Sequence, residues 1–251
     1  MPRLEQKTAV ITGASSGIGR SIASKFAAEG ARVVVNYQQS RDKAEHLVKE
    51  IINSGGEATA IQADISNKQE LDRLIKAANA CLGKIDIWVN NAGADILTGD
   101  GAQLDDQQKL QNLIDIDLKG TMQCCWAMVP VMQNQGGGVI INMSWDLAVH
   151  GFTGRNPQMF AAVKAGVLGF SRSFAKTCGP AIRVNILAPG WIETAFADEV
   201  MEQGYYDARK QEIPLGRFGT PEDVAEVAVF LASDESSYMT GEMIKINGGL
   251  S

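Results

Sequence analysis

The sequence predicts a single α/β domain, doubly wound, with about seven parallel strands and helices on both faces. Three observations carry this. Short apolar runs alternate with longer amphipathic stretches along the whole chain. The short runs are continuously apolar, which marks strands covered on both faces. The stretches between them are long enough for the crossover helices that parallel neighbours require.

The elements follow in order. Residues 8–12 read as a buried strand and 16–29 as a helix, with Gly30 as its stop. Residues 32–36, with three consecutive valines, form the second strand. A helix over 40–53 closes at Gly55 and Gly56. Residues 58–62 are a strand, 68–82 a helix and 85–90 a fourth strand. A long helical region runs from about Asp105 to Gln133. Residues 138–143 are the fifth strand and 160–177 a helix. A strand over 182–187, a helix over 221–232 and a strand over 243–246 complete the series. No linker or repeat divides the chain, so residues 1–251 form one domain. The least regular stretch, 190–214, follows the sixth strand, where such folds bind ligands, and reads as a lid or substrate loop.

Composition narrows the function. A formal net charge of −6 argues against nucleic acid as a partner. No apolar run approaches the roughly 18 residues of a membrane span, and no signal peptide is visible, so the expected compartment is the cytoplasm. Cys81, Cys124, Cys125 and Cys178 lack metal-ligand spacing, and no metal site is expected.

Thr12-Gly13-Ala14-Ser15-Ser16-Gly17-Ile18-Gly19 joins the first strand to its helix. Gly13 permits a tight turn, Gly17 lets the backbone approach a pyrophosphate, and Gly19 lets helix pack on strand. The helix N-terminus then attracts phosphate. Ser15, Ser16 and Ile18 complete this candidate dinucleotide cradle.

The T-G-x-x-x-G-x-G spacing resembles the short-chain dehydrogenase/reductase family, and the resemblance spans essentially the whole chain. Asn90-Asn91-Ala92-Gly93, Arg183-Val184-Asn185, Pro189-Gly190-Trp191-Ile192-Glu193-Thr194 and Asn247-Gly248-Gly249 match further family segments. The general pattern is similar to 3-oxoacyl-carrier-protein reductases and bacterial glucose dehydrogenases. The resemblance implies a Rossmann-type fold and a nicotinamide cofactor. It would be held by the glycine turn, by Asp64 and Ile65, by Asn91, Ala92 and Gly93, by Lys164, and by Pro189, Gly190, Ile192 and Thr194. It also implies a small-molecule substrate and a homo-oligomer, tetramer or dimer, built on the long helices.

The second strand ends Asn36-Tyr37 with no acid, and Ser40 and Arg41 follow. This favours NADP(H) over NAD(H), since an acid there would repel a 2′-phosphate; Arg41 as a solvated helix-start residue is the plainer alternative.

The family's chemistry uses Asn, Ser, Tyr and Lys. Lys164 matches the Lys in the family helix without a gap. Four residues earlier, at the Tyr position, stands Phe160, and the sequence has no Tyr between Tyr37 and Tyr205. Trp145 stands at the Ser position, Ser144 being the structural residue before it; a shift of one would place Asp146 there. Asp117 stands for Asn. The predicted site is therefore atypical: general acid–base work by a placed side chain is worth roughly 10²–10⁴-fold. Asp146 and His150 are candidate replacements, each with a bland reading as a loop residue. Tyr205, Tyr206 and Arg155 are more distant candidates. Three readings follow: an NADP(H)-dependent oxidoreductase with a non-standard proton donor, a redox-inactive cofactor-binding protein, or a lyase or isomerase reusing the pocket.

Overall fold

A computed structural model describes residues 2–251, apart from the side chains of residues 198 and 199. The strands are β1 (Thr8–Ile11), β2 (Arg32–Tyr37), β3 (Glu57–Gln62), β4 (Ile87–Asn90), β5 (Gly138–Met143), β6 (Ile182–Pro189) and β7 (Met243–Ile246). They form one parallel sheet in the order β3-β2-β1-β4-β5-β6-β7. The helices are α1 (Gly17–Ala28), α2 (Arg41–Asn53), α3 (Lys68–Leu82), α4 (Gly99–Ala102), α5 (Asp106–Asn112), α6 (Thr121–Asn134), α7 (Arg155–Cys178), α8 (Gln203–Glu212) and α9 (Pro221–Ala232).

Alternation along each strand divides the core into two layers. Ala9, Ile11, Val33, Val35, Ile87 and Val89 pack with Phe26 of α1, Leu47 of α2 and Val224 of α9. Val10, Val34, Trp88 and Ile140 point the other way, onto Leu71 of α3, Met128 of α6 and Phe174 of α7. Each fully buried large apolar side chain contributes about 1.5–3 kcal/mol, so covering both faces explains why the strands are apolar without a break. A buried polar chain crosses this packing. Trp88 Nε1 donates to Asn90 Oδ1 at 2.7 Å, Asn90 to Asn142 at 2.8 Å, and Asn142 to Ser171 of α7 at 2.8 Å. Fully paired, it fixes α7 against β4 and β5.

Chain order reverses between β1 and β4, so the crevice where ligands bind in open sheets opens beyond their C-terminal ends. The turn after β1 and the loop after β4 both lie there.

Three expectations need correction. The helix expected over 160–177 begins at Arg155. Gly154 (φ +117°) starts it, and Pro157 is tolerated because it lies in the first turn, where no N–H is needed. Arg155 is thus a helix residue, ion-paired to Asp106 at 2.7 Å, rather than part of a loop. The stretch 190–214 is less irregular than expected, holding a π turn (Phe196–Val200) and α8. No residue of α8 is buried, so it lacks the apolar stripe by which helices are read. The long helix over 106–134 is continuous but passes through a π-helical segment, Leu113–Gly120, between α5 and α6.

Candidate active site

The glycines of the phosphate turn are required by contact. Gly13 has φ +61°, and a Cβ on it would lie 2.7 Å from Ala92 Cα. A Cβ on Gly19 would lie 2.3 Å from Asn91 Nδ2 and 2.6 Å from the Gly13 carbonyl oxygen. Asn91 Nδ2 donates to the carbonyls of Thr12 and Gly13, and Thr12 Oγ1 accepts from the N–H groups of Asn91 and Ala92. The turn after β1 and the loop after β4 are therefore one stitched floor. Gly17 is different. Its Cβ would meet only Thr194 Cγ2, at 4.0 Å, so its backbone faces a gap closed by the segment after β6. Ser16 caps α1 without a side-chain hydrogen bond, and the first turn holds no acid. Free N–H groups and an open gap fit a pyrophosphate.

At the end of β2, Asn36 spends its amide on the protein. It donates to the carbonyls of Ile61 and Ala63, and its backbone carbonyl accepts from Ala14 N–H. Tyr37 and Ile65 are buried, so they offer the cleft backbone rather than side chains. Asp64 accepts from Gln38 at 2.8 Å and from Ser66. Arg41 is exposed and paired to Glu45 at 2.7 Å, and Ser40 caps α2. A cleft of about 380 Å³ beside the turn is lined by Ser15, Ser16, Gly17, Arg20, Asp42, Lys43 and His46. Arg20 and His46 both pair with Glu50. Arg20, Lys43 and His46 were not identified from the sequence; the one-turn spacing of Lys43 and His46 on α2 was the available signal.

The other end of the cleft gathers Asp117, Trp145, Phe160 and Lys164. Lys164 Nζ lies 2.9 Å from Asp117 Oδ1 and 3.4 Å from the Met143 carbonyl, and both side chains are buried. Asp117 Oδ2 accepts from Ala94 N–H at 2.7 Å. Asp117 is one of the buried residues of the π segment. The Phe160 ring lies 5.3 Å from Lys164 Nζ and meets Trp145 edge-on at 5.4 Å. Ser144 Oγ donates to the Lys164 backbone carbonyl at 3.0 Å, a fastening between β5 and α7.

Asp146 points elsewhere. It is fully buried, accepting from Asn247 Nδ2 at 3.0 Å and from Leu147 N–H at 2.9 Å. Its Oδ2 lies where Gly190 leaves no room for more than a hydrogen. Burial raises its carboxyl, against the lowering pull of the Asn247 bond. It ties the turn after β5 to the ends of β6 and β7, and its hydrogen bonds do not run to Lys164. His150 is exposed on the following loop. The segment after β6 forms an aromatic cluster. Trp191 packs with Phe152, Tyr205 and Phe218, and Tyr206 packs on Phe218 with its hydroxyl 3.3 Å from Glu193. Arg209 lies over the Phe152 and Tyr205 rings at 5.4 and 5.1 Å. Pro189 ends β6, and Ile192 pairs with Gly219, which holds this segment beside the cleft. No cluster with metal-ligand character occurs among the described residues.

A family model described as enoyl-(acyl carrier protein) reductase matches residues 13–251. The chain is 41% identical over 251 residues to a 3-oxoacyl-(acyl-carrier-protein) reductase of Staphylococcus aureus, covering 97% of this chain and 98% of that one. It is 39% identical over 250 residues to the reductase of the same name from Thermotoga maritima, covering 99% of each. Among solved structures, 7α-hydroxysteroid dehydrogenase complexed with NADH and 7-oxo glycochenodeoxycholic acid matches with TM-score 0.90 and 35% identity, over 98% of this chain and 95% of that one.

Proposed function

The chain belongs to the short-chain dehydrogenase/reductase family, and from that premise we propose that it is an NADP(H)-dependent oxidoreductase acting on a small carbonyl or alcohol substrate with a non-standard proton donor. The observation that carries this reading is the continuous floor from the phosphate turn, through Asn91 to Ala94, to the buried Asp117–Lys164 pair. It supports a dinucleotide laid with its pyrophosphate at Gly17 and its nicotinamide toward Lys164. The cofactor itself supplies the hydride. Lys43 and Arg20 beside the turn, with no acid ending β2, favour a 2′-phosphate over the opposing charges of Asp42 on the same lining and of Glu50, which pairs with Arg20. The relatives named 3-oxoacyl-(acyl-carrier-protein) reductase support a carbonyl substrate of the 3-oxoacyl kind.

Phe160 cannot move a proton, and Asp146 is bound to Asn247. We assign proton delivery to water held by the Lys164 ammonium, with Asp117 holding that ammonium in place. Trp145 and Phe160 exclude bulk solvent from the same space. The aromatic cluster around Trp191 serves as the substrate-side wall, and its α8 portion as the lid. A homo-oligomer is the proposed assembly. Trp126 is 54% exposed on α6, edge-on to Phe170 of α7, and Phe170 stacks on Phe174, an apolar face of the kind chains cover with a second copy.

The test is a fluorescence titration with NADPH and NADH, followed by absorbance assays with a 3-oxoacyl thioester and with other carbonyl, imine and enoyl substrates. Tighter binding of NADPH than of NADH, and turnover of a carbonyl substrate, are expected. Tight NADPH binding without turnover on any substrate would favour a redox-inactive cofactor-binding protein, the reading that the Phe160–Trp145 pair best suits. Absence of binding by either nucleotide would remove the oxidoreductase reading.

A further inference from the structure

The Asp117–Lys164 pair contributes more to the cleft than a fixed lysine. Asp117 is 1% exposed, so its carboxylate has left water and is held by the Ala94 N–H and the Lys164 ammonium. Gly93 lies against it so closely that a Cβ there would sit 3.0 Å from Oδ1. Gly93 and Ala94 continue the loop whose Ala92 packs on Gly13 of the phosphate turn. The carboxylate is therefore built into the floor of the dinucleotide cleft, and it matches the buried Lys164 ammonium charge for charge. An amide at position 117 could accept the Ala94 bond, yet would leave that ammonium's charge unbalanced in a poorly screened space.

A nicotinamide ring is cationic when oxidised and neutral when reduced, so the net charge of the floor bears on one form and scarcely on the other. Resting on the NADP(H) reading above, we propose that Asp117 sets the redox-state preference of the nucleotide site: by cancelling the Lys164 charge, it lets the cleft hold the oxidised cofactor at least as tightly as the reduced one. In this role Asp117 is a positioning residue that works through Lys164 and through the field it leaves in the cleft.

The experiment reads a ratio of dissociation constants. NADP⁺ and NADPH are titrated against intrinsic tryptophan fluorescence for the unmodified protein and for Asp117→Asn. The unmodified protein is expected to bind NADP⁺ no more weakly than NADPH. In the Asn variant NADP⁺ is expected to weaken relative to NADPH by about five- to tenfold, the scale of one unit charge acting across a partly screened interior. A merely structural role for Asp117 would change both affinities alike, leaving the ratio fixed, and that result overturns the proposal. So does a shift toward NADP⁺, or an unmodified protein that prefers NADPH tenfold or more; this last measurement decides the matter even where the variant does not fold. An unmodified protein that binds neither nucleotide removes the cofactor reading itself, and with it this proposal.

Discussion

At the scale of single residues, Phe160 and Asp146 bear on the chemistry in different ways. The Phe160 ring already lies 5.3 Å from the Lys164 ammonium. A hydroxyl on that ring is therefore expected to restore a placed acid. Phe160→Tyr should raise carbonyl reduction by about a hundredfold or more, measured as initial rates with NADPH and a 3-oxoacyl thioester. An unchanged rate would mean that no carbonyl is held over this ring. Asp146 instead leaves a mark on stability. Burial raises its carboxyl, so at mildly acidic pH the folded chain holds a proton that the unfolded chain has released. Unfolding free energy then declines as pH rises from about 4 through the raised folded value, and the cost is fully present above it. Asp146→Asn removes that titration, so the variant's stability relative to the parent should improve steadily across this interval in urea unfolding. Parallel curves for the two proteins would refute the assignment. These two positions also differ in legibility. Phe160 is fixed in sequence by its spacing from Lys164, whereas the direction in which Asp146 points depends on Asn247, 101 residues away.

At the scale of elements, apolar content decided what could be read from sequence. The strands and the helices that cover them carry their burial in their composition, and they fall close to the expected places. The π segment does not, because its extra residue per turn changes the phase of a helix and not its residue types. Asp117, which pairs with Lys164, lies in that segment. Helix α8 was missed for the opposite reason, having no buried residue to announce it. It is anchored by Arg209 over the Phe152 ring, by Tyr205 edge-on to Trp191 and by Tyr206 against Phe218. The Arg209 contact is worth about 0.5–1 kcal/mol. Arg209→Ala is expected to speed native-state proteolysis within 190–214 severalfold while leaving the global unfolding midpoint nearly unchanged. An equal loss of global stability would show that α8 belongs to the main cooperative unit rather than to a separately opening lid.

At the scale of the whole molecule, one sheet positions everything the site uses. The reversal of strand order between β1 and β4 places the phosphate turn beside the Asn91 loop, and the ends of β5 and β6 bring Lys164 and Thr194 to the same edge. Strand order follows from parallel pairing and short connections, so the location of the cleft was legible. The Asn90–Asn142–Ser171 chain buried between the sheet and α7 was not, because polar residues within apolar strands look like interruptions until their partners are known. Outside the sheet, the exposed Trp126 and its Phe170 neighbour should lie between copies. Trp126→Glu is expected to lower the mass seen by light scattering by at least half, with the far-ultraviolet dichroism unchanged; an unaltered mass would place the assembly contact elsewhere.

The four cysteine thiols are distributed unevenly. Cys124, Cys125 and Cys178 are buried and Cys81 alone is exposed; desolvation raises all four thiols, that of Cys125 to about 12. A maleimide dye offered to the native protein therefore has a single address, on α3 and away from the cleft. Denaturation reveals three more. The ratio of dye bound before and after unfolding becomes a built-in gauge of how many molecules in a preparation are intact.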